Sequence, residues 1–150
     1  MRDSMLFVSG DLDLSMGGRS VNLTKKPFSS RRAVYGYVDR QNIPALLRIF
    51  DFSNPNIHTP ARPETTVPQQ ALFGLNDPFV VARAESLGRA FAGNAPEQAV
   101  QHLYRRILSR NPTPQDRAVA LAFLGEEASL TELTDLAQAL LVSNEFYFVD

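Results

Sequence analysis

DPFVVARAESLGRAFAGNAPEQAVQHLYRRIL, residues 77–108, sets the fold class of this chain. Asp77 before Pro78 reads as a helix N-cap followed by a proline at the first helical position, where its missing N–H costs nothing. Val80, Ala84, Leu87 and Phe91 then recur at helical spacing until Gly93-Asn94 closes the segment. Pro96 opens a second helix. Its Val100, Leu103, Tyr104, Ile107 and Leu108 follow the i, i+3, i+4, i+7, i+8 pattern of an amphipathic face.

Toward the C-terminus the same logic continues. Thr113 caps and Pro114 starts a helix with Ala118, Leu121 and Ala122 on one face, ended by Gly125. Leu130, Leu133, Leu136, Ala137, Leu140 and Leu141 form the last apolar stripe. Ser143-Asn144 breaks it, and the aromatics of 145–150 are expected to fold back on the helices. Strand signals are almost absent. The reading is therefore mainly α: an irregular helical bundle with a long proline-rich central loop.

That loop lies in residues 51–78, DFSNPNIHTPARPETTVPQQALFGLNDP, which hold five of the chain's ten prolines. A residue before proline is pushed out of the helical region, so 54–64 should be irregular and extended. Thr65-Thr66 offers an N-cap for a helix with Pro68 in its first turn that carries Ala71, Leu72 and Leu75 as its apolar residues. Further back, Ser29 or Ser30 can cap a helix from Arg31 with Val34, Tyr35 and Val38 on one side. Pro44 ends or restarts it, and 45–50 form a short helix carrying Leu46, Leu47 and Phe50. Residues 11–30, with Gly17-Gly18, Asn22 and Pro27, read as loop with one extended piece at 21–23. Residues 1–10 read as the end of an amphipathic helix stopped by Gly10. A chain that starts inside a helix is expected to be the C-terminal part of a larger domain. Residues 1–150 are read as a single domain with loops at 11–30 and 51–66.

Composition removes several functions. The 150 residues are 44% hydrophobic, enough for one core, and no apolar run approaches the roughly 18 residues of a membrane span. Without cysteine there is no disulfide, thiolate metal site or C-x-x-C-H haem attachment. No basic region followed by an apolar one opens the chain as a secretory signal would. A net charge of -1 gives no global field for nucleic acid. There is no nucleophile elbow, no phosphate-binding loop and no dinucleotide fingerprint. Asp11, Asp13 and Ser15 alternate like the start of a calcium loop, but the glycine and the closing glutamate are misplaced.

What remains is a polar set in the central stretch: Asp51, Asn54, Asn56, His58, Arg62, Glu64 and Gln69. In one reading these line a ligand pocket, with His58 as a base or a single metal ligand. In the other they satisfy a loop backbone that lacks helical partners. Arg31-Arg32 can bind an anion or pair with Asp51 or Glu64. His102 falls on the exposed side of its helix.

RRAVYGYVDRQNIPALLRIFDFSNPN (31–56), TPARPETTVPQQALFGLNDPFVVARAESL (59–87) and ALLVSNEFYFVD (139–150) together resemble the bacterial domain-of-unknown-function family 1553. The resemblance implies the C-terminal part of a large exported planctomycete protein, in the periplasm or at the cell surface. Its partners would be the remainder of the parent polypeptide and a cytochrome-c-like domain. The family has no activity to carry over, so no residue inherits a role and no cofactor is expected in this chain. The segment 103–124 also resembles a helix–turn–helix packing unit. The expectation is a non-catalytic structural or interaction module; the alternative is part of a hydrolase or carbohydrate-binding site built on 51–78.

Overall fold

A computed structural model of the protein describes residues 1–61 and 68–148. It contains α1 (Arg2–Ser9), a single 3-10 turn at Ala33–Tyr35, α2 (Ala45–Ile49), α3 (Pro68–Asn76) and α4 (Pro78–Phe91). Then follow α5 (Pro96–Leu108), α6 (Pro114–Leu124), α7 (Leu130–Leu141) and α8 (Asn144–Tyr147). Among the described residues there is no sheet, only isolated bridges between Asp13 and Arg31 and between Val21 and Gly36. The fold is mainly α.

The core is built by α1 and α4–α7. Met5, Leu6, Val80, Leu87, Val100, Leu103, Leu124, Leu133 and Leu141 are its fully buried large side chains. Burying each such side chain is worth about 1.5–3 kcal/mol. α4 lies along α7, close enough that a Cβ on Gly88 would stand 2.6 Å from Thr134 Oγ1. Start signals hold where a side-chain cap meets proline. Asp77 Oδ1 accepts the Phe79 N–H at 2.8 Å, and Thr113 with Asp116 forms a reciprocal capping box. Asp77→Ala should cost about 1 kcal/mol, read as a lower urea midpoint with an unchanged slope. At the other end of α1, Gly10 adopts φ 83°. Its N–H and that of Asp11 bond to Phe7 and Leu6 carbonyls, the Schellman closure.

Three helix expectations are corrected. Residues 31–38 do not form a helix beyond the single 3-10 turn. The Asp3 carboxylate takes the Ala33 N–H at 2.8 Å, and Val21 exchanges backbone bonds with Tyr35 and Tyr37 at 2.9 and 2.8 Å. Those competing partners, and Leu23 packed against the Cβ-free face of Gly36, hold this stretch extended. In α3 the inward side is Phe73 and Gly74, with Leu72 and Leu75 exposed, because Gly74 lets Val142 and Tyr147 approach its backbone. In α6 the buried residues are Ala120 and Leu124, and Ala118 and Ala122 face outward. Alanines carry too little apolar area to set a helix's rotation against a leucine one turn away.

Residues 10–61 are different in kind. They run over the surface of the helical core, and Leu23 is the single buried residue among them.

Candidate functional site

The central stretch begins where α2 ends. Asp51 takes a left-handed backbone (φ 53°), a conformation most accessible to Gly, Asn and Asp. Just before it, Phe50 packs edge-on against Phe73 of α3 (5.4 Å between centroids) and near Tyr147 of α8 (6.2 Å). Gln70 Nε2 donates to the Ile49 carbonyl at 3.0 Å. These contacts pin α2 to α3 and α8. Burial pushes the Tyr147 phenol above its ordinary pKa, and its hydroxyl has no hydrogen-bond partner among the described residues.

The sequence-derived candidates disperse along this path. Asp51 is half-buried. Asn54 Oδ1 accepts the Asn56 N–H at 2.9 Å, an Asx turn, and Asn56 Nδ2 reaches the Arg40 carbonyl at 3.4 Å. Asn54, Asn56 and His58 are all exposed. Gln69 lines an open depression of about 350 Å³ with Ala45, Arg48 and Ile49. Arg62, Glu64 and the Thr65-Thr66 cap lie outside the described residues. Among the described residues no three His, Asp or Glu side chains gather to hold a metal ion.

Two features escaped sequence reading. One is an ion network that ties α8 to the α5–α6 connection. Arg110 grips Glu145 of α8 with two nitrogens (2.5 and 2.8 Å) and Asp116 of α6 with a third (2.8 Å), its guanidinium 5.3 Å from the Tyr104 ring. Hydrogen bonding to Arg110 holds the carboxyls of Asp116 and Glu145 below their usual range. A carboxyl with a depressed folded pKa stabilises the fold above its unfolded pKa, and that gain is lost as pH falls through the folded pKa. Removing Arg110 should therefore flatten the fall in stability below about pH 4 relative to wild type, measured by urea unfolding across pH. The groups are partly exposed, so the effect at neutral pH is small.

The second is a wedge of about 580 Å³ where α1 and α5 both lean on α4. It is lined by Val8, Leu87, Ala90 and Phe91 and edged by His102, Arg105 and Arg106. The signal was present: positions 102, 105 and 106 share one edge of a helix at i, i+3, i+4.

Among the described residues the chain is mainly α, with no strand or sheet. No helix there is long and apolar enough to cross a membrane. The chain belongs to the PSD1 family, proteins of unknown function (DUF1553), whose family model matches residues 1–124. Both central segments that carried the resemblance fall inside that match, and the closing segment 139–150 lies beyond it. No curated protein and no solved structure matches the chain.

Proposed function

We propose that this chain is a non-catalytic module that packs on, and completes, a larger exported protein of its family. One observation carries the reading. Residues 10–61 bury only Leu23, yet Leu14, Met16 (90% exposed), Val34, Tyr37, Phe52 and Ile57 (67% exposed) stand in solvent. Scattered exposed apolar residues are ordinary; this many on one segment without a core of its own fits a surface meant to be covered. Export and the parent's cytochrome-c-like domain rest on the family resemblance. The test is to join the chain to the polypeptide encoded directly upstream. The expected result is strong hydrogen-exchange protection of 10–61 that the chain alone lacks. Unchanged exchange there would overturn the reading.

The competing reading is a hydrolase or carbohydrate site on 51–78. It is favoured by the left-handed backbone of Asp51, since such conformations concentrate at functional sites. Alanine at His58, Arg62 and Glu64 separates the two. The module reading expects His58→Ala to change stability by no more than about 0.5 kcal/mol, with no ligand binding or turnover lost at any of the three. Loss of a measurable activity with folding intact supports the competing site.

A further inference from the structure

We infer that the wedge between α1, α4 and α5 docks an acidic polypeptide segment bearing an apolar side chain. The inference rests on the module reading and names the chemistry of its partner. The floor is apolar: Leu87, Ala90 and Phe91 of α4, with Val8 of α1. The rim is cationic. Arg106 is fixed in place, because its Nε donates to the Val8 carbonyl at 2.6 Å and its Nη2 to Phe7 at 3.2 Å, which caps the C-terminus of α1. The Arg106 side chain is otherwise exposed. Arg105 and His102 are exposed, the His102 ring lying 5.5 Å from Phe91. Among the described residues no carboxylate lines the wedge. The nearby Asp11 sits behind Ser9 Oγ at 2.7 Å and is ion-paired with Arg83, so its charge is already answered.

An apolar floor beside guanidinium groups that are ion-paired with no carboxylate among the described residues selects an occupant with carboxylates flanking a hydrophobic side chain. The wedge is open along the surface, so a chain segment can lie across it. The exposed positions 102 and 105, one helical turn apart, are placed to take successive carboxylates.

The test uses the intact chain and fluorescence anisotropy of a labelled five-residue peptide, one leucine flanked by two glutamates on each side. The control peptide has glutamine in place of glutamate. The glutamate peptide should bind saturably, lose affinity as salt is raised, and exceed the control. Arg105→Glu and His102→Glu should each weaken it about tenfold with helical content and melting temperature retained, since both side chains are exposed. Equal binding of the two peptides, or charge reversals without effect, would overturn the inference. If the peptide fails while the upstream polypeptide still protects 10–61, only the wedge assignment falls.

Discussion

Replacing Gly88 with leucine is expected to break the seat of α4 on α7 and cost about 3 kcal/mol or more, the upper end of core overpacking. For a chain of this length that is roughly a 10 °C fall in melting temperature. A Cβ at position 88 would already stand 2.6 Å from Thr134 Oγ1, 3.1 Å from its N and 3.3 Å from its Cα. Thr134 has no room to yield, because its hydroxyl donates to the Leu130 carbonyl at 2.8 Å and its backbone belongs to α7. A larger side chain must therefore separate two helices whose contact buries Val80, Ala84, Leu87, Leu133, Ala137 and Leu141. Gly93→Ala is the matched control. It has a left-handed φ of 84° and nothing within 4 Å, so it pays backbone strain alone, about 1 kcal/mol. Gly88→Ala should be partly relieved by Thr134→Ala, which removes the nearest atom; thermal melts of the double-mutant cycle read the coupling.

Arg2→Ala is the second large effect. Arg2 is the one charged residue that is buried among those described. Its guanidinium donates to the carbonyls of Arg31 (2.8 Å) and Ser29 (2.5 Å) and stands 5.3 Å from the Phe79 ring centroid. Beside it the Asp3 carboxylate takes the Ala33 N–H. The loop 29–33 thus hangs from the first turn of α1 by charge-assisted bonds, each worth about 1.5–3 kcal/mol. Part of that returns when the freed carbonyls hydrate, so a net loss of about 2–4 kcal/mol is expected in urea unfolding. The distinctive readout is local: trypsin should cut after Lys25, Arg31 and Arg32 several times faster in the variant, before the core melts. Equal cleavage rates would mean that the loop is held by something other than Arg2.

Much of the second half was legible because its signals are redundant. Asp77-Pro78 and Thr113-Pro114 mark starts by both capping and fixed φ, and α4, α5 and α7 carry continuous apolar stripes, of which Leu130 at the start of α7 is exposed. Where a face rested on alanines, as in α6, periodicity alone misplaced it. Where a glycine rather than a large residue makes the contact, as Gly74 does in α3, the pattern pointed Leu72 and Leu75 the wrong way. Residues 31–38 read as helix because their partners, Asp3 and Val21, are remote in sequence. The polar density of 51–78 was visible at once, yet density is not convergence: Asn54, Asn56, His58 and Gln69 all face solvent rather than a shared enclosed pocket. The cationic wedge lies instead where α4 and α5, whose inner faces are legible in the sequence, meet the end of α1. Its basic edge at 102, 105 and 106 passed as ordinary helix surface, because nothing in one helix's sequence tells that α1 ends beside it.

We hold that 10–61 is a covering layer which its own chain fastens only at separate points, Arg2 on 29–33 and Phe50 on α3 among them, and which a neighbouring polypeptide stabilises along its length. Hydrogen exchange measured on the chain alone and again when joined to the polypeptide encoded upstream tests it most directly. The account predicts that alone, amides of α4, α5 and α7 exchange only through global unfolding while those of 10–61 exchange at least about a hundredfold faster, and that joining slows 10–61 toward the core rate. Protection of 10–61 equal to the core in the isolated chain, or no gain on joining, would contradict it.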